Sequence, residues 1–127
     1  MNRRIITTAH APQAIGPYSQ AVQTDQLLFV SGQLGLPPDG AGLVPGGVAA
    51  QTARALDNVK AILEAAGLSL GHVVKTTILL VDMADFPVVN DIYASYFPEA
   101  PPARATYAVA GLPLGALIEI EAIATRS

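Results

Sequence analysis

One isolated arginine is the most conspicuous candidate for chemistry in the C-terminal half of the chain. Between Thr76 and Thr125, Arg104 is the only basic residue, and six acidic residues surround it in sequence. A guanidinium offers a planar fork of donors that matches a carboxylate well. The sequence therefore leaves two roles open for Arg104: it binds a carboxylate ligand, or it forms a structural salt bridge with an acidic side chain.

Two carboxylates in the last apolar segment are the candidate partners. Glu119 and Glu121 alternate with apolar residues over 118–124, as in a strand with one buried face. The apolar set should pack on helices, so both glutamates should point away from them. Applied to the strand of Arg104, the same alternation predicts that Arg104 and Thr106 share the face of Glu119. The residues expected on the helix side of that strand are Ala105, Tyr107 and Val109.

The elements that must position these groups follow from hydrophobic periodicity. The predicted strands are 3–7, 19–24, 27–33 and 73–81, followed by two closing strands that a Gly/Pro turn at 112–116 joins as a hairpin. The predicted helices are 48–66 and about 85–97. This order, β-β-β-α-β-α-β-β, indicates an α+β fold with both helices on one face of a mixed sheet.

Finer details are also predicted. The polar residues of the first helix, including Gln51 and Asn58, should lie off its apolar stripe, and Gly67 should end that helix. Asp85 should cap the second helix, whose inward apolar stripe should include Phe86 and Tyr93. The strand 73–81 should be buried on both faces, whereas the turn-rich segment 35–47 should be exposed.

Composition predicts one domain, 1–127, that associates with copies of itself. The chain is 51% hydrophobic and 13% charged, with a mean hydropathy of +0.42. A domain of this size cannot enclose that much apolar surface, because small domains have a high ratio of surface to volume. We therefore expect a homo-oligomer.

Several function classes are disfavoured. A net charge of −3 and a pI near 5.1 give no electrostatic footprint for nucleic acid. No apolar run is long enough to span a bilayer, and no secretory signal follows the N-terminal arginines. Cysteine is absent, and His10 and His72 lack metal-ligand spacing, so no metal site is expected. These features are compatible with a cytoplasmic location.

Several motifs together resemble the Rid family of enamine/imine deaminases, also known as the endoribonuclease L-PSP family. The likeness extends over nearly the whole chain, and the motifs occur in the order typical of the family. They are residues 15–21 (IGPYSQA), 29–33 (FVSGQ), 51–59, 90–93 (NDIY), 102–104 (PAR), 112–116 (LPLGA) and 118–124 (IEIEAIA).

The resemblance implies a chorismate-mutase-like fold with a six-stranded mixed sheet. It also implies a homotrimer with a central barrel and active sites between subunits. The implied reaction is hydrolysis of 2-imino acids, such as 2-iminopropanoate and 2-iminobutanoate, to 2-oxo acids and ammonia. No cofactor or metal is implied.

The resemblance also implies site residues. Arg104 would bind the substrate carboxylate, and Glu119 would hold the attacking water, with Arg104 nearby keeping it ionised. Tyr18 would contribute a catalytic hydroxyl, unless it is only a packing anchor. The further substrate-binding candidates are Ser31, Gly32, Asn90 and Thr106. Glu121 is interpreted as structural.

Thr106 is the main departure from the family pattern. Many relatives have a cysteine two residues after the arginine, so Thr106 argues against obligatory thiol chemistry and leaves the substrate range open. The alternatives are a non-catalytic sensor or chaperone for small carboxylates, and a specialised catabolic deaminase of the same family. Ribonuclease activity is disfavoured by the acidic charge.

Overall fold

The sheet and helices occur in the predicted order. The computed structural model describes residues 2–126; Met1 and Ser127, which bound the predicted domain, lie outside the described residues. The strands are β1 Arg4–Ile6, β2 Ala21–Gln23, β3 Leu27–Gln33, β4 Val73–Leu80, β5 Ala103–Ala108 and β6 Ile118–Thr125. The helices are α1 Gly47–Ala65 and α2 Phe86–Tyr96. Short 3₁₀ turns occur at Leu70–His72, Met83–Asp85 and Pro113–Gly115.

The six strands form one mixed sheet in the order β1-β2-β3-β6-β4-β5. Every neighbouring pair is antiparallel except β4 and β5, which are parallel. The predicted hairpin of β5 with β6 is therefore wrong, because β4 lies between them. A helical crossover through α2 favours a parallel neighbour for β4 on one side. After β5, the chain crosses over β4, and β6 lies between β3 and β4.

Strand β6 occupies this central position because one of its faces is apolar. Ile118, Ile120, Ala122 and Ala124 are buried against the helices, as the alternation predicted. Strand β4 is also buried on this face, at Thr76, Ile78 and Leu80. Its other face is only half-buried in the chain, so the prediction of burial on both faces is wrong for the single chain.

Helix α1 covers β3 and β6 with a face that is more polar than predicted. Its apolar residues Leu56, Val59, Ile62 and Leu63 are fully buried, but Gln51 and Asn58 are buried with them. The prediction that placed these two amides off the buried stripe is wrong, because backbone groups of loops supply partners there. Asn58 Nδ2 donates to the carbonyls of Leu34 and Leu36. For the same reason the first residues of the 35–47 segment are buried rather than exposed.

The predicted end of α1 is confirmed, whereas the predicted side-chain cap of α2 is wrong. Gly67 has φ +77° and ends α1 in a Schellman motif, in which Leu68 N–H donates to Leu63 O at 2.9 Å. Asp85 occupies the N-cap position of α2, but its side chain makes no capping bond. The capping interaction lies one turn earlier, where Asp82 accepts from Ala84 N. Among the described residues, neither helix combines the length and apolar character needed to cross a bilayer.

Candidate functional site

Strand pairing places Arg104 on the helix side of the sheet. Arg104 pairs with Thr76, and Thr76 pairs with Ala122, whose side chain is buried under the helices. On the other face, Leu79 pairs with both Tyr107 and Glu119. The prediction that Arg104 and Thr106 share the face of Glu119 is therefore wrong. On this edge strand Ala105 and Tyr107 lie on the face away from the helices, although both are apolar. Alternation of apolar residues alone therefore assigns the wrong face of β5 to the core.

Two aromatic rings of α2 hold the Arg104 guanidinium. Its Cζ lies 5.4 Å from the ring centroid of Phe86 and 4.9 Å from that of Tyr93. The Tyr93 hydroxyl is itself fixed by a 2.7 Å hydrogen bond with Thr76. Arg104 makes no ion pair or hydrogen bond with residues 2–126. The alternative of a salt bridge to Glu119 or Glu121 is therefore wrong within the chain, and the donor fork is open to a ligand.

Asn90 shares the helix face of these two rings, and Thr106 shares the strand face of Arg104. Asn90 follows Phe86 by four residues and precedes Tyr93 by three, so the three side chains share one helix face. Thr106 follows Arg104 by two residues on the same strand face. Asn90 Oδ1 and Thr106 Oγ1 are both buried without a hydrogen-bond partner. Buried polar atoms seldom remain unpaired, so these atoms indicate an incomplete polar site. We call Asn90, Arg104 and Thr106 the arginine group.

Glu119 lies on the opposite face against the backbone of Gly32. A Cβ added at Gly32 would stand 2.7 Å from Glu119 Cδ, so only glycine allows this approach. A depression of about 370 Å³ opens there, lined by Tyr18, Ser31, Gly32 and Glu119 among others. We call these four residues the glutamate group.

Burial raises the pKa of Glu119, and the neighbouring Glu121 carboxylate raises it further. The expectation that Arg104 keeps Glu119 ionised is therefore wrong for the single chain, because the guanidinium lies across the sheet. A carboxylate whose pKa is raised is a stronger base than an ordinary carboxylate and is therefore better suited to accept a proton.

Tyr18 and Ser31 have backbone partners. The Tyr18 side chain is 48% exposed, and its hydroxyl accepts from Ile15 N at 3.3 Å. Its own proton is therefore still available to a ligand. The Ser31 hydroxyl donates to Ser19 O at 2.6 Å. Because that proton is committed, Ser31 can face a ligand only as an acceptor.

Sequence reasoning missed the residues that position these groups. Gln51 Oε1 accepts from Leu117 N at 2.9 Å and thereby anchors the backbone two residues before Glu119. Gln20 Nε2 donates to Pro12 O at 2.8 Å and ties down the segment that leads to Tyr18. Phe86 and Tyr93 were predicted only as part of the inward stripe of α2. A polar amide beside apolar helical positions was the available signal for Gln51.

The structure thus divides the predicted site residues into two groups on opposite faces of one sheet. The arginine group offers a cationic fork with unpaired polar atoms. The glutamate group offers a carboxyl group and a hydroxyl at an open depression. Within residues 2–126, no three His, Asp or Glu side chains are placed so that they could hold a metal ion.

Comparison with known proteins supports the family resemblance that the sequence motifs indicate. The profile of the family described as endoribonuclease L-PSP matches residues 8–126. The chain is 56% identical over 124 residues to a mouse protein named 2-iminobutanoate/2-iminopropanoate deaminase, which covers 98% of this chain and 92% of that protein.

Two solved structures from Escherichia coli show a similar fold. The YjgF gene product has a TM-score of 0.92 at 48% identity, over 98% of this chain and 99% of that one. TdcF with bound serine has a TM-score of 0.93 at 43% identity, over the same shares of the two chains. On this evidence, the chain belongs to the Rid/YjgF family, whose family description is endoribonuclease L-PSP.

Proposed function

We propose that the protein is a 2-imino acid deaminase that hydrolyses 2-iminopropanoate and 2-iminobutanoate to the corresponding 2-oxo acids and ammonia. The main support for the proposal is that the arginine group and the glutamate group are complementary, that each is incomplete alone, and that they lie on opposite faces of the sheet. The name of the mouse relative supports the same reaction. Hydrolysis uses only water as co-reactant, so the proposal includes no cofactor or metal.

In the proposed site, the arginine group binds the substrate carboxylate. The rings of Phe86 and Tyr93 hold the guanidinium, so less conformational entropy is lost when it binds a ligand. A bidentate contact of this kind contributes about 1.5–3 kcal/mol. The unpaired oxygens of Asn90 and Thr106 lie on the same side and would contact the rest of the substrate.

Glu119 performs the proton transfers. Water attacks C2 of the protonated imine, its proton passes to the Glu119 carboxylate, and the C=N electron pair moves to nitrogen. Glu119 then returns the proton to nitrogen, the C–N bond breaks, and ammonia leaves. The ionised Glu119 carboxylate accepts the hydroxyl proton, which gives the 2-oxo acid, and passes it on to the departing ammonia as ammonium. The Tyr18 hydroxyl lines the same depression and would hold the water or the substrate.

A complete site would need two chains, because one chain cannot bring its own two groups to one face. We propose a homotrimer with a central barrel, in which the arginine group of one chain meets the glutamate group of its neighbour. The sheet face away from the helices supports association, since Phe29 is 43% and Tyr107 52% exposed there. We further propose one functional domain spanning the chain and a cytoplasmic location.

Mixing two inactive variants tests the shared site. Arg104→Ala and Glu119→Gln should each lower the rate of ammonia release from freshly generated 2-iminopropanoate about tenfold or more. Refolding the two together in equal amounts should restore about one quarter of wild-type activity. With random mixing, about half of all shared sites receive an intact arginine group, and about half of those also receive an intact glutamate group.

The control is each variant refolded alone, with native mass spectrometry to show that mixed oligomers have formed. Mixed oligomers without recovery would mean that the two groups do not meet across a subunit boundary. Full activity of either variant alone would contradict the assigned chemistry.

A further inference from the structure

A cationic depression beside the β1–β2 pair shares no residue with either group. Arg3, Arg4 and Arg126 line a depression of about 340 Å³ together with Gln23 and Asp25. This volume is within the range typical of small-molecule sites, roughly 300–1,000 Å³. Neither the predicted site nor the proposed reaction uses any of these residues.

The charge in this depression has the opposite sign to that of the rest of the chain. Three arginines and one aspartate give it a charge of +2. The remaining four basic and nine acidic residues carry −5, which makes up the net charge of −3. Three of the seven basic residues thus line one depression, in which Asp25 is the only acidic lining residue.

Backbone pairing brings the arginines together from distant parts of the sequence. Arg4 on β1 is the register partner of Gln23 on β2. At the other end of the chain, Arg126 N–H donates to Gln26 O at 2.9 Å, and its Nη1 donates to Asp25 O at 3.4 Å. None of the three guanidinium groups forms an ion pair with a carboxylate of residues 2–126.

Gln23 supplies an independent sign of an unfilled site. Its side chain is only 3% exposed, and Nε2 is buried without a hydrogen-bond acceptor. A buried amide donor that lacks an acceptor is costly, so native structures rarely retain one. Gln23 lines the depression, so this unpaired amide lies beside the arginines.

We infer that this depression binds a small phosphorylated anion. Several guanidinium forks match an oxyanion that has many acceptor oxygens. The basic area is small and the chain as a whole is acidic, with a net charge of −3. Both features favour a compact ligand over a nucleic acid strand, which requires an extended basic surface.

Calorimetric titration of the full-length protein with pyrophosphate tests the inference. Wild type should bind, and Arg4→Gln/Arg126→Gln should bind at least about tenfold more weakly, because two charge-assisted contacts are lost. Lys60→Gln, which removes an exposed charge from α1, is the matched control and should bind as wild type does. Arg4→Lys/Arg126→Lys should bind with intermediate affinity, since lysine keeps the charge but not the fork.

Further titrations show which kind of phosphate-containing ligand the depression binds. Inorganic phosphate and vesicles containing phosphatidic acid are compared with pyrophosphate, and a short oligoribonucleotide tests the nucleic acid alternative. Deaminase activity of the double variants should be unchanged, so the outcome is independent of the proposed function. The inference is overturned if pyrophosphate gives no saturable binding, if Lys60→Gln weakens binding equally, or if the oligoribonucleotide binds more tightly than pyrophosphate.

Discussion

At the scale of single residues, the environment of Glu119 makes a prediction about pH. Desolvation and the Glu121 carboxylate both raise its pKa above the ordinary value of 4.5. As the proposed base, Glu119 must be ionised, so kcat/KM should fall as pH drops through this pKa. Glu121→Gln removes the repulsion and should move this acidic limb to lower pH. Desolvation, the larger cause, remains in the variant, so the shift should be partial.

The test compares the pH of the acidic limb in Glu121→Gln with that in wild type. An arginine from a neighbouring chain would lower the pKa of Glu119 in both proteins, so the difference between them still reports the effect of Glu121. An unmoved limb would contradict coupling between the two carboxylates. The contribution of Glu119 to stability changes with pH in the opposite direction to its contribution to activity. Since the fold favours protonated Glu119, this group's stabilising contribution is present at low pH and is lost as pH rises through the raised pKa.

Gly32 allows a second prediction at this scale. In Gly32→Ala the new methyl group would collide with the Glu119 carboxylate, 2.7 Å away, and displace it from its position. We expect kcat/KM to fall about tenfold or more, since small misplacements of a catalytic group are costly. Gly111→Ala is the control, because a Cβ there meets no atom within 4 Å. Equal activities of the two variants would show that the contact does not position Glu119.

At the scale of elements, helix α1 positions the loops beside the glutamate group through buried amides. Asn58 donates to Leu34 O and Leu36 O and accepts from Arg54. Asn58→Ala leaves these partners unpaired in a buried site. Each unpaired buried group costs about 1–3 kcal/mol, and we therefore expect a loss of about 2–4 kcal/mol in the free energy of unfolding.

Urea denaturation at fixed protein concentration measures this loss. Lys60→Ala, in the same helix but exposed, should change the free energy of unfolding by less than about 0.5 kcal/mol. A similarly small effect of Asn58→Ala would mean that water replaces the amide without penalty.

At the scale of the whole molecule, the sheet face away from the helices should be an interface. Phe29→Glu places a charge on this face, where Phe29 is 43% exposed in the single chain. Burying an unpaired charge in an interface is costly, so we expect dissociation to smaller species by light scattering, with loss of deaminase activity. Ala65→Glu, on the exposed side of α1, should leave the mass unchanged. A Phe29→Glu protein with wild-type mass would place the interface elsewhere.

The sequence by itself determined the element order, both helices and the burial of one face of β6. These features depend on local periodicity and capping, such as the alternation of Ile118 and Ile120 and the left-handed Gly67. The site residues could be named from their motifs, because the likeness extends over nearly the whole chain. Gln51 and Asn58 could not be assigned to the core, because their partners are backbone groups of loops distant in sequence.

Only the tertiary structure decided where Arg104 lies. Local alternation suggested the face of Glu119 and a hairpin between β5 and β6. Strand order depends instead on contacts between distant segments: α2 makes β5 the parallel edge neighbour of β4, and β6 fills the gap beside β3. That choice of neighbours turns Arg104 toward Phe86 and Tyr93. The two candidate groups therefore lie on opposite faces, and this separation is what makes a site shared between chains the physically consistent proposal.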